Sequence, residues 1–200
     1  LISVLGEKAY LGLYSAVSLG ALVWMSLSYG DAPYVPVWEP PPGLRHLSLI
    51  LVPLAFVLLV FAVASPNPTS IAGRAVLKTG EARGIFAITR HPMMWALILW
   101  SVAHLLANGD LASILLFGTI LLTAAVGMVL LDHRKAREAP EGFARLKASS
   151  SLVPFAALLG GQARARFTWA DAVKAVAGLA LFGAVLMAHQ TLFGVSPLPG

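Results

Sequence analysis

The sequence predicts an all-α polytopic transmembrane helical bundle, one integral membrane domain over residues 1–200. Composition is the first reason: 58% of the residues are hydrophobic and 12% charged, with a mean hydropathy of +0.81. Soluble domains carry about 25% charged residues. The second reason is that the apolar residues gather in runs close to the ~20 residues that cross a hydrocarbon core of ~30 Å. The third is that the Lys and Arg residues collect between alternate runs, as topology signals do.

The elements follow in order. Tyr10 to Tyr29 forms the first span. A stiff loop, Asp31 to Gly43, follows with Pro33, Pro36, Pro40, Pro41 and Pro42, and its Tyr34 and Trp38 suit an interfacial belt. Leu44 to Ala64 is the second span. Pro92 to Ala107 is the third; it is short, but Pro92 suits a first helical turn and Asn108-Gly109-Asp110 makes a tight return. That return leads into the fourth span, Leu111 to Leu131, so the two helices form an antiparallel hairpin. Ser151 to Gly161 is too short to cross and contains Pro154, which reads as interfacial or re-entrant. Trp169 to Phe193 is the fifth span, and Ala177, Gly178, Ala180, Gly183 and Ala184 on it let another helix approach closely, within the chain or from a membrane-protein partner. The chain opens on Leu-Ile-Ser-Val-Leu-Gly-Glu-Lys, which reads as the interior of a longer protein, so an upstream span is expected. No internal repeat supports an inverted-repeat transporter.

Alternating the five spans places Lys8, the loop from Ser65 to Arg90, and the stretch from Asp132 to Lys174 on one face, with 13 of the 14 Lys and Arg residues. Only Arg45 falls opposite. The basic face is therefore expected to be cytoplasmic, in a bacterial inner membrane. The same asymmetry accounts for a pI near 9.9 without nucleic acid as a partner; the partner is the lipid bilayer. The absence of cysteine excludes disulfides, thiolate metal sites and cysteine nucleophiles.

Ionisable side chains inside apolar runs are costly and mark sites. The stretch Thr89 to Asp110, TRHPMMWALILWSVAHLLANGD, holds two histidines on one apolar run. The topology sorts all five histidines into layers: His46, His104 and His189 at the outer ends of their spans, His91 and His133 at the basic ends. At ~1.5 Å per residue His91 and His104 stand about 20 Å apart and cannot share a metal. Imidazoles in an apolar helical bundle suit haem, whose macrocycle wants apolar walls; copper or zinc held by His46, His104 and His189 is the alternative. Met25 and Met187 lie near enough in sequence register to approach an outer cofactor, though packing explains them equally. At the basic end, Arg90 with Asp132 is expected to fasten the hairpin as an ion pair, with His91 donating to a carbonyl. The other reading of Arg90 and His91 is a polar pocket for an anionic headgroup, a haem propionate or a cosubstrate.

Several motifs carry a family resemblance: GEKAYLGLYSAVSL at Gly6 to Leu19, the Leu44-Arg45-His46 helix start, ITRHPMMWALILWSVAHLLANGDLASILLFG at Ile88 to Gly118, the Asp132-His133-Arg134 exit and the terminal LFGVSPLP. Together they resemble the NnrU family, which is associated with nitrogen-oxide metabolism in denitrifying bacteria, and the chain is also similar to plant and cyanobacterial zeta-carotene isomerases. That resemblance implies haem b and a hydrophobic small-molecule substrate. It also implies that His104, thirteen positions after the RHP histidine His91, is the haem ligand, with His46 second and His189 third. The isomerases' other axial histidine belongs to a helix upstream of this sequence. Trp95, Trp100 and Phe117 are expected to line a lipid-accessible cleft. RHP at a helix start with a charged segment from Asp132 to Phe155 also resembles isoprenylcysteine methyltransferases, but only the separated Glu138 and Glu141 stand where paired glutamates would bind S-adenosylmethionine. A non-enzymatic accessory membrane subunit is the third class.

Overall fold

Long apolar runs have one low-energy conformation in lipid, the α-helix, because it satisfies backbone polar groups internally. In the computed structural model, which describes residues 6–67 and 82–198, the runs fold accordingly. The helices are α1 (Glu7–Gly30), α2 (Pro42–Ala64), α3 (Ile85–Ile88), α4 (Pro92–Ala107), α5 (Leu111–Glu138), α6 (Pro140–Ala148), α7 (Ala156–Leu159) and α8 (Trp169–Phe193). Four of them, α1, α2, α5 and α8, are long and apolar enough to cross a membrane, and α4 is the shorter apolar helix. Within the basic loop, Arg74 and Lys78 lie outside the described residues.

The boundaries expected for α4 and α8 coincide with those observed. Helix α5 continues past Leu131 to Glu138. Hydropathy marks where a span leaves the apolar core, whereas a helix ends only where its backbone must. Here Arg134 and Lys135 both pair with Glu138, at 2.6 and 3.1 Å, one helical turn apart, and no breaker arrives before Pro140. The stretch Ser151 to Gly161 forms a turn and the four-residue α7.

The helices pack in a row. Helix α2 lies between α8 and α4, α4 packs on α5, and α1 rests mainly on α5. The small residues of α8 serve the internal contact: a Cβ on Gly178 would come within 2.7 Å of the Val57 Cα, so glycine lets the α2 and α8 backbones meet, whereas Gly183 faces open space. Polar side chains fix the directions. Lys174 near the start of α8 reaches Ser65 after the end of α2 at 3.0 Å, and Ser48 near the start of α2 donates to the Ala103 carbonyl near the end of α4 at 2.8 Å. Neighbouring helices therefore run antiparallel.

The proline-rich loop is tied to the tip of the α4–α5 hairpin. Val37 and Trp38 N–H groups donate to the Gly109 carbonyl at 2.8 and 3.1 Å, and Leu111 N–H donates to the Val35 carbonyl at 2.9 Å. Asp110 caps α5 by accepting from the Ser113 N–H at 2.9 Å.

Candidate intramembrane site

Two polar clusters sit at opposite ends of the α4–α5 hairpin. At the basic end, Asp132 is held by Arg90, whose Nε lies 3.0 and 2.9 Å from its two carboxylate oxygens, and by His91 Nε2 at 2.8 Å. The expected Arg90–Asp132 pair is therefore present, while His91 meets the same carboxylate rather than a carbonyl. Since Asp132 is paired with a guanidinium, it accepts, and Nε2 is the donor. His91 is 1% exposed and its Nδ1 has no hydrogen-bond partner among the described residues.

The turn before α7 closes over this network through backbone carbonyls. Arg90 N–H donates to Ser151 O at 3.0 Å, Thr89 Oγ1 to Leu152 O at 3.1 Å, and Trp95 Nε1 to the same Leu152 carbonyl at 2.9 Å. Trp95 thus belongs to this closure and not to the cleft anticipated for it. Glu138, one of the carboxylates weighed for adenosylmethionine, is shared by Arg134 and Lys135.

At the other end, one helical stripe of each of three helices converges. On α4 the stripe is Met94, Leu97, Trp100 and His104; on α5 it runs from Ser113 and Phe117 through Ala124 to Arg134; on α1 it is Leu22, Met25 and Tyr29. Trp100 and Phe117, expected as cleft walls, instead pack on each other with ring centroids 5.0 Å apart, and the His104 imidazole lies 4.6 Å from each. Tyr29, which sequence reasoning passed over, completes the cluster. Its ring sits edge-on to Phe117 at 6.0 Å and its hydroxyl is 2.9 Å from Ser113 Oγ. Its i, i+4, i+7 spacing from Met25 and Leu22 was the available signal.

The hydrogen bond of His104 fixes its tautomer. Nδ1 lies 2.8 Å from the Trp100 carbonyl, which can only accept, so Nδ1 carries the proton and a neutral ring keeps its lone pair on Nε2. A ligating histidine is usually prepared this way. His46 Nδ1 to Pro42 O and His189 Nδ1 to Val195 O, both 2.9 Å, repeat the arrangement. His46, however, is exposed at the start of α2, while the His189 ring lies against Phe193, with centroids 4.8 Å apart. Among the described residues no three His, Asp or Glu side chains are placed to share an ion.

Between α1, α4 and α5, on the basic-end side of the aromatic cluster, lies a cleft of about 820 Å³ whose lining does not include Tyr29, Trp100, His104 or Phe117. Met25 and Leu22 of α1 form one wall, Met94 and Leu97 of α4 another, and the α5 stripe ending at Arg134 the floor. Met187, by contrast, is 82% exposed and away from it.

Removing the Tyr29 hydroxyl tests how α1 is attached. Intramembrane side-chain hydrogen bonds average about 0.6 kcal/mol, with a ceiling near ~1.7. Tyr29→Phe and Ser113→Ala are each expected to lower stability in a detergent unfolding titration. The double variant should show a coupling of that size, whereas strict additivity would mean that the contact contributes nothing.

The family described as NnrU protein matches residues 1–197. The chain belongs to the NnrU family. This NnrU-family protein is also similar to two relatives named 15-cis-zeta-carotene isomerase, chloroplastic. It is 25% identical to the Arabidopsis thaliana protein over 171 residues and 27% identical to the Zea mays protein over 172. Each match covers 80% of this chain and 44% of the relative, so the chain spans less than half the length of the relatives it matches. No solved structure matches it.

Proposed function

We propose that this NnrU-family membrane protein would hold haem b through His104 and performs isomerase-like chemistry on an apolar, double-bonded substrate that enters from the bilayer. The observation that carries the reading is the His104 imidazole: its Nδ1 is tied to the Trp100 carbonyl, its Nε2 lone pair is available, and Trp100 and Phe117 flank the ring. The residues present fit one side of a haem, and bound haem would supply a redox-active iron beside an apolar chain. The family relationship, and the names of the two isomerases, support the choice of chemistry.

This chain's own residues would do three things. Trp100 O holds the imidazole in one tautomer and orientation. Phe117, Trp100 and Tyr29 exclude water from the ring, and the exposed apolar side chains of α1, Trp24 and Leu27 among them, leave the protein open to molecules dissolved in lipid. The charge asymmetry supports a cytoplasmic basic end in a bacterial inner membrane; the matched relatives are chloroplastic.

The test is expression in cells that accumulate 15-cis-zeta-carotene, with isomers resolved by chromatography and haem content measured on the same membranes. The proposal expects loss of the 15-cis isomer with wild type and its retention with His104→Ala. A haem-loaded wild-type protein that leaves the isomer ratio unchanged rejects the isomerase reading and leaves haem carriage or nitrogen-oxide chemistry as the activity of the site.

A further inference from the structure

We propose that the groove between α1, α4 and α5 binds a single-chain carboxylate amphiphile, of fatty-acid type, with its hydrocarbon chain along the α5 floor and its headgroup at Arg134. This site does not rest on haem. Four of its properties select that occupant.

The first property is length. The floor runs from Thr119 to Arg134, and fifteen residues at ~1.5 Å each give about 22 Å. Half of a ~30 Å hydrocarbon core is ~15 Å, so a chain entering at the Arg134 end passes the midplane. The second is depth. Gly127 lies in the floor, and among the described residues a Cβ there would meet only Met94 Sδ, at 3.8 Å, so the missing side chain leaves the floor open at its middle. The third is access. Helix α1 supplies one wall yet rests mainly on α5, with Leu22 55% exposed, so lipid reaches the groove from the side.

The fourth property, charge, separates an acid from a neutral hydrocarbon. Among the described residues Arg134 is the one ionised residue lining the groove, and its side chain is 55% exposed. Only its Nε is committed, to Glu138 at 2.6 Å, and Glu138 is itself shared with Lys135. Two cations therefore divide one carboxylate, Arg137 adds a third positive charge on the same helix end, and Asp132 is already paired with Arg90. The mouth is net positive, and the remaining guanidinium N–H groups of Arg134 match a carboxylate. A second copy of the chain, or a two-chain phospholipid, would not bring a single carboxylate to the end of the groove.

Parinaric acid, a conjugated fatty acid that fluoresces in apolar sites, tests this with the purified protein in neutral detergent, against its uncharged methyl ester. A half-exposed charge pair contributes up to about 1 kcal/mol, so the acid is expected to bind roughly three- to fivefold more tightly than the ester. Arg134→Gln should abolish that ratio, and Gly127→Phe should weaken both probes. Oleate should displace the probe. Equal binding of acid and ester by the wild-type protein overturns the proposal in favour of a neutral hydrocarbon, without needing any variant to fold. Displacement by phosphatidylglycerol but not by oleate overturns it in favour of a phospholipid. Absence of probe binding, with Gly127→Phe or Gly127→Leu converting a dimer to a monomer on size-exclusion chromatography, overturns it in favour of a second copy.

Discussion

Replacing Asp132 with alanine is expected to destabilise the protein by about 3–5 kcal/mol, the cost of breaking a buried ion pair from one side. The reason is what remains behind. Arg90 is 5% exposed and His91 1%, and both direct N–H groups at the carboxylate that the variant lacks. The turn before α7 would loosen with them, because it is held to the same corner through Ser151 O and Leu152 O. Thermal or denaturant unfolding in detergent measures the loss. Removing both charges, as Arg90→Met with Asp132→Leu, should recover a large part of it, since an apolar pair of similar volume often replaces a buried ion pair at little cost. A double variant as unstable as Asp132→Ala would mean that the network does more than neutralise Arg90.

Gly109→Ala is the second large effect. A Cβ at this position would lie 1.7 Å from the Trp38 carbonyl oxygen and 2.8 Å from its carbon. The obstacle is backbone, so no side chain can turn aside; the proline-rich loop must lift from the hairpin tip. Lifting it breaks the bonds from Val37 and Trp38 to Gly109 O and from Leu111 to Val35 O. At about 1 kcal/mol net each, the expected loss is roughly 2–4 kcal/mol. Proteolysis of the loop in intact membranes, faster in the variant than in wild type, reports the detachment. Unchanged protection would show that the loop is held by something other than this docking.

The spans were legible because hydropathy and helix length are set by the same bilayer thickness, which is why Pro92 to Ala107 and Trp169 to Phe193 could be read with their ends. The extension of α5 to Glu138 was not, because the charges that end an apolar run also make good helical pairs. The Arg90–Asp132 pair could be inferred from two opposite charges at adjacent helix ends. The bond from His91 to Asp132 could not, since choosing between a carbonyl and a carboxylate requires the rotamer. Phe117 and Trp100 were foreseen as walls of a lipid-accessible cleft, not as the rings that flank His104, and Tyr29 depends on which face α1 turns to α5, which a helix apolar on nearly every side marks only weakly. Trp95 left the cleft because its indole N–H needs an acceptor and Leu152 O supplies one.

The most direct test of the intramembrane site is the oxidised and reduced absorption spectrum of the purified protein, with a pyridine haemochrome assay, for wild type, His104→Ala and His46→Ala. The account predicts a haem b spectrum in wild type that is lost or strongly altered in His104→Ala and retained in His46→Ala, whose ring is exposed at a helix start. A folded wild-type protein without haem, or a spectrum indifferent to His104, would contradict it.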